Sequence, residues 1–232
     1  DPLVVGDVAS SLVALPGLLS QADLPPVRLR ARQTLKDALD GYRGQLAANQ
    51  RSLDLSGMYR QALEILSSPQ CRDAFDLDAE SSELRDRYGR HRSGQACLLA
   101  RRLVEAGVPF ISVHQEIFKH YGHAYDMHQN NFGMLKNVNL PILDLVYPAL
   151  IQDLEDRGLL DSTLVIALGE FGRTPKINSN AGRDHWPQVS CAYIAGGGIQ
   201  GGQAIGSTNR LGERAHTRPV HVQEIFATVY RN

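Results

Sequence analysis

Apolar residues recur at helical spacing from Val27 to about Asn49, where Leu29, Ala31, Leu35, Leu39, Tyr42 and Leu46 share a face and Arg, Lys and Asp lie opposite. A second stretch of the same period runs from Leu53 to Ser67 with Leu55, Tyr59, Leu63 and Leu66. Together they predict an antiparallel helical hairpin serving as a lid or packing element, preceded by a Pro-punctuated loop over residues 1–26. Asp76 to Gly89 and Gln95 to Ala106 read as two further helices, the second closed by Gly107.

The pattern then changes. Val108 to His114 reads as a strand with Pro109 at its start, and Leu140 to Arg157 as an amphipathic helix with Leu143, Tyr147, Leu150 and Leu154 along its seam. Ser162 to Leu168 reads as the next strand. Strand, helix and strand make a βαβ unit, so the two strands are expected to be parallel with their carboxyl ends on one edge. That edge would gather His114, His120, His123, Asp126 and His128 with Glu170 and Arg173. A further strand is expected over Val189 to Ala195, a short companion over Gln203 to Ile205, and a terminal helix from Val220 to Tyr230.

Composition narrows the function classes. The 232 residues are 43% hydrophobic and 21% charged, the balance of an ordinary globular protein. A formal net charge of -1 gives no electrostatic reason to expect nucleic acid as a partner. No apolar run reaches the roughly 18 residues of a membrane-spanning helix. The three cysteines form no Cys-x-x-Cys pair, so neither a disulfide framework nor a thiolate zinc site is indicated, and core roles are expected for Cys97 and Cys191.

The chemistry concentrates in three segments. Tyr125-Asp126-Met127-His128 offers a carboxylate and an imidazole at a one-residue gap, able to hold one divalent cation or to stand as a solvated polar loop. Gly169-Glu170-Phe171-Gly172-Arg173-Thr174-Pro175 follows the strand ending at Leu168 and places a carboxylate and a guanidinium on its carboxyl-end loop. Gly182-Arg183-Asp184-His185-Trp186-Pro187 adds a carboxylate and an imidazole in a segment with no regular period. Arg173 can fork onto a bound oxyanion or pair with Asp184. The glycines at 196–198 and 201–202 lack the order of a phosphate-binding loop and suit a tight turn, and no Gly-x-Ser-x-Gly elbow is present.

These motifs, with Ala195-Gly196-Gly197-Gly198-Ile199-Gln200-Gly201-Gly202 and Arg85-Asp86-Arg87-Tyr88-Gly89, resemble a bacterial family defined as domain of unknown function fifteen-oh-one, abundant in planctomycetes. The resemblance implies membership of the alkaline phosphatase and sulfatase superfamily, whose members bind one or two divalent metals. The implied fold is α/β, a three-layer α/β/α sandwich of alkaline phosphatase-like type, truncated at the amino terminus and carrying the added helical hairpin. Residues 1–90 would form the loop and hairpin segment on or capping the core, and 91–232 the carboxyl-terminal part of the α/β domain.

By the same resemblance Asp126 and His128 match the family's Trp-Asp-Thr-His motif, with Tyr125 and Met127 as departures. Glu170 matches a second-site carboxylate and His185 a late histidine ligand. The expected metal set is Asp126, His128, Glu170, Asp184 and His185, holding zinc, calcium or manganese, with Arg173 as the catalytic anion clamp. The expected activity is hydrolysis of phosphate or sulfate esters of a small molecule or polysaccharide, with a non-catalytic exported binding or surface protein as the alternative. Family members carry an export signal and an early nucleophile-bearing segment, so the chain is expected to be the carboxyl-terminal part of an exported protein.

Overall fold

The computed structural model describes residues 68–115 and 125–231 together with Gly57. The expected hairpin over Val27 to Ser67 falls, Gly57 apart, outside the described residues, as do His120 and His123. The described part is a mixture of helices and small antiparallel sheets, α/β in the broad sense. It divides into two compact units, one of residues 68–81 and 102–111 and one of residues 82–101 and 112–231.

In the first unit, helix α1 (Pro69–Ala74) starts where the Ser68 hydroxyl accepts from the Cys71 amide at 3.0 Å and Pro69 occupies the first turn, where its missing N–H costs nothing. Asp76 caps a short 3-10 turn, Leu77–Ala79, and the chain extends at Glu80 before resuming as a helix. The single helix expected over Asp76 to Gly89 is therefore two pieces, broken where Glu80 takes an extended conformation at φ -87° and ψ 148°. Cys71, Ala74, Phe75 and Leu77 are buried. Arg102 donates to the carbonyls of Asp73 and Ala74 and pairs with Glu80.

The second unit is built on α2 (Ser82–Tyr88), the first part of α3 (Arg92–Glu105) and α5 (Leu140–Asp156), with a short α4 (Asn131–Met134) and a π turn, Leu135–Asn139, leading into α5. Gly94 lets α3 approach α2, since a Cβ there would lie 2.0 Å from the Tyr88 carbonyl oxygen. Gln95 ties the two helices by donating to the carbonyls of Arg85 and Gly89 and accepting from Arg85 Nε at 2.8 Å. The buried stripe of α5 is Val146, Ala149, Asp153 and Leu154, which keeps Leu154 of the expected seam but is turned from its other members Leu143, Tyr147 and Leu150, which are only half-buried. Buried polar partners account for the rotation. Asp153 accepts from Tyr88 at 2.9 Å and from Arg157 at 2.8 Å, and Nε of the fully buried Arg101 lies 2.8 Å from it.

The expected strand from Val108 to His114 does not form: these residues join no ladder among the described residues, and Phe110 is 78% exposed. Their β-branched content fits a half-buried sheet surface, and without a neighbour that preference has nothing to act on. The expected parallel pairing is replaced by an antiparallel one. Strand β1 (Leu164–Leu168) pairs with β4 (Ala192–Gly196), Ile166 opposite Ile194. Between them the chain goes out and back without a helix, and a parallel neighbour needs a crossover that residues 169–191 do not supply.

Nested inside this pair is a second, β2 (Gly172–Arg173) with β3 (His185–Trp186), so 164–196 is one long hairpin with two short ladders. Gly172 is required where it stands, because a Cβ would lie 1.9 Å from the Val189 carbonyl oxygen. A third ladder, β5 (Ser207–Thr208) with β6 (Ala215–Thr217), takes the place of the expected companion strand at Gln203 to Ile205. Helix α6 (Val222–Arg231) ends the described chain. Burial pushes the Cys97 thiol up to about 11, though the residue is only half-buried and stands outside the buried core. Cys191 is exposed, because β4 begins only at Ala192 and not at the expected Val189, which leaves Cys191 outside the ladder.

Candidate metal centre

The tip of the long hairpin, residues 174–184, docks by its backbone onto the segment leading into α4. Arg183 N donates to the Met127 carbonyl at 3.0 Å, Asn130 N to that of Asn180 at 3.0 Å, and Asn131 N to that of Ala181 at 2.9 Å. The two backbones touch at Gly182, where a Cβ would lie 2.0 Å from both the carbonyl carbon and oxygen of His128. Glycine alone fits there. Residues 126–128 alternate, with Met127 buried and its neighbours Asp126 and His128 half-exposed, so the carboxylate and imidazole emerge together.

On the hairpin side, β2 sets Arg173 opposite His185 of β3. The Phe171 ring packs on the His185 ring with centroids 4.3 Å apart, and Trp186 donates to the Glu213 carbonyl at 2.8 Å, which anchors β3 from behind. The docking thus brings three donor atoms into a triangle. Asp126 Oδ1 lies 3.0 Å from His185 Nε2 and 3.2 Å from His128 Nε2, and the two nitrogens are 3.1 Å apart. Donors held about 2.1 Å from one ion stand about 3.0 Å apart in an octahedral shell and about 3.4 Å apart in a tetrahedral one. The triangle already has those edges.

Two further groups hold it. Asp184 Oδ1 takes a hydrogen bond from His128 Nδ1 at 2.7 Å. An ionised carboxylate only accepts, so Nδ1 carries the hydrogen and a neutral His128 ring leaves Nε2 with its lone pair toward the triangle. Hydrogen bonds from His128 and Asn178 hold the Asp184 carboxyl below its ordinary value. Arg173 donates to Asp126 Oδ1 at 2.7 Å. That bond, then the one from His185, bring the Asp126 carboxyl down to about 2, so it is charged at neutral pH.

Asp126, His128 and His185 therefore meet as one group able to hold an ion. Asp184 sits behind His128, and Arg173 pairs with Asp126, not with Asp184 as the sequence also allowed. Glu170 is exposed on the turn between β1 and β2 and stands outside the group, and His114 is bonded to the Ser112 hydroxyl at 2.7 Å. Sequence reasoning passed over Asn178 and the steric role of Gly182. The signal for both was the run Asn178-Ser179-Asn180-Ala181-Gly182, whose composition is that of a side-chain-closed turn.

A mixed α/β framework carrying a two-histidine, one-carboxylate cluster defines a protein with a metal-capable site. The chain belongs to the family described as "Protein of unknown function (DUF1501)", which it matches over residues 5–232. No curated protein and no solved structure matches the chain.

Proposed function

We propose that the chain carries a divalent-metal centre for hydrolysis of phosphate or sulfate esters, on the three-layer framework of the alkaline phosphatase and sulfatase superfamily and in an exported protein. The observation that supports it most is the donor triangle of Asp126, His128 and His185, with Asp184 fixing the His128 ring. Two imidazoles and a carboxylate suit zinc or manganese and not calcium, which takes oxygen donors. A bound ion of this kind supplies Lewis acidity toward an ester oxygen and acidifies a coordinated water.

The residues do the rest. Asp126 contributes charge, His128 Nε2 its lone pair, and His185 Nε2 would become a donor once an ion displaces the hydrogen it gives Asp126, while Arg173, against Asp126, is the cation beside the site for an ester's remaining oxygens. The three donors are close to half-exposed, which leaves one side of the triangle open to substrate and water.

A second reading is a metal-binding protein without turnover. It is favoured by the commitment of the Arg173 guanidinium, which donates to Asp126 Oδ1 at 2.7 Å and to the Arg183 carbonyl at 3.3 Å. One experiment separates the two. Metal-free protein is dialysed against zinc or manganese, its metal content is measured, and aryl phosphate and aryl sulfate hydrolysis is followed for wild type and Asp126→Ala. Uptake with turnover, both lost in the variant, supports the hydrolase. Uptake without turnover supports the second reading, and uptake below about a tenth of an equivalent removes both.

A further inference from the structure

Asn178 offers no ligand atom to the triangle, yet its amide uses every hydrogen-bonding position it has. Oδ1 accepts from the amides of Asn180 and Gly182, both at 2.9 Å, and this closes the turn at the hairpin tip. Nδ2 donates to the His128 carbonyl at 3.0 Å and to Asp184 Oδ1 at 3.1 Å. The assignment of oxygen and nitrogen is forced, since a flipped amide would set its oxygen against a carbonyl and a carboxylate and its NH2 against two N–H groups.

The oxygen of Asp184 that Asn178 holds is the one that takes the His128 Nδ1 hydrogen. One amide therefore grips the backbone of His128 and the carboxylate that orients the His128 ring. The two lie on segments 56 residues apart in the chain. Asp184 is also held through its own backbone, where its amide donates to Thr174 Oγ1 at 3.1 Å and its carbonyl accepts from Thr174 N at 2.9 Å. Those bonds place the Asp184 backbone and leave its carboxylate free to rotate. Besides His128 itself, Asn178 is the side chain described as hydrogen-bonded to the Asp184 carboxylate.

We propose that Asn178 is a positioning residue of the metal centre: it locks the Asp184 carboxylate against His128 and thereby keeps the His128 Nε2 lone pair aimed at the ion. The proposal rests on the metal-centre reading above. Groups that orient a ligand from behind are worth about 10- to 100-fold in metal affinity, and the same range is expected here. A residue that only closed the turn would affect folding and leave the ligand ring alone.

The test uses wild type, Asn178→Ala and Asn178→Ser, with two measurements beside thermal melting. Cobalt(II) affinity is read from its visible absorption, and the His128 tautomer from imidazole nitrogen-15 shifts in the metal-free protein. Serine keeps an acceptor for the Asn180 amide, so the turn persists, but its hydroxyl is too short to reach Asp184. Expected are affinities about 10-fold or more below wild type in both variants, and a mixture of His128 tautomers in place of Nδ1–H alone. Wild-type affinity and an unmixed tautomer in Asn178→Ser would overturn the proposal, whatever the melting temperature of either variant. Failure of wild type to take up cobalt would overturn the metal-centre reading along with it.

Discussion

Asp184 Oδ1 lies 2.7 Å from His128 Nδ1, while Nε2 across the same ring faces Asp126 and His185. The carboxylate thus acts through the imidazole, and its removal is expected to be felt at the far nitrogen. Asp184→Asn should lower zinc affinity by about 10- to 100-fold with little change in melting temperature. Isothermal titration against zinc checks this, and an affinity equal to wild type would place Asp184 outside the centre.

Gly182→Ala should separate the hairpin tip from residues 128 and 129. The added methyl meets backbone atoms at 2.0 Å, and no rotamer can relieve a backbone contact. A loss of about 1–3 kcal/mol is expected in urea unfolding, accompanied by weaker zinc binding. A variant with wild-type stability and affinity would show that the two segments do not dock as described.

Ala181 is one residue away and should respond in the opposite direction. Its φ of +54° puts an L side chain in the left-handed region, and its amide and carbonyl bonds hold it there. Ala181→Gly removes that steric cost, of about 1 kcal/mol, offset in part by the greater freedom of glycine in the unfolded chain. A small rise in urea midpoint is expected, and a fall beyond about 1 kcal/mol would contradict the strained conformation.

The buried ion network is the next sensitive point. Asp153→Ala would leave Arg101, which is fully buried, without its carboxylate and would strip Tyr88 of its acceptor. Breaking one side of a buried pair costs about 3–5 kcal/mol, so this variant should be far less stable than Asp156→Ala on the exposed side of the same helix. Comparable losses in the two would argue against the network.

Acid should act through the same aspartate. Burial raises the Asp153 carboxyl, but the hydrogen bond from Arg157, the Arg101 charge and the Tyr88 hydroxyl outweigh it and leave the group below its ordinary value. A carboxylate depressed on folding contributes stability that is complete above its unfolded value, about 3.9, and is lost as the pH falls through the folded one. Asp126, at about 2, acts in the same direction but is half-exposed and contributes less. The urea midpoint of wild type should therefore fall between about pH 4 and pH 2, and that of Asp153→Asn should fall less steeply. Parallel curves would assign the acid sensitivity elsewhere.

Much of the local structure was legible in the residues. Gly107 and Gly158, both at positive φ, end helices where the apolar period stops, and the apolar runs before Gly169 and Gly197 are strands. Asp126 and His128 were readable as a pair because a one-residue gap in extended chain puts both on one side. Periodicity records what each residue prefers along its own segment, and these features depend on little else.

What pairs with what was decided by the tertiary structure. The residues from Val108 to His114 have the composition of a strand and, among the described residues, no ladder, and Leu164–Leu168 finds its neighbour antiparallel in Ala192–Gly196. Asp153 is buried because Arg101 and Tyr88 close around it. His185 joins Asp126 and His128 because Gly182 allows one backbone onto another and Asn178 fastens them, whereas Glu170, with equal chemical promise, stays outside. A sequence names the groups that can bind an ion; the distances among them come from contacts between segments far apart in the chain, and those no local pattern encodes.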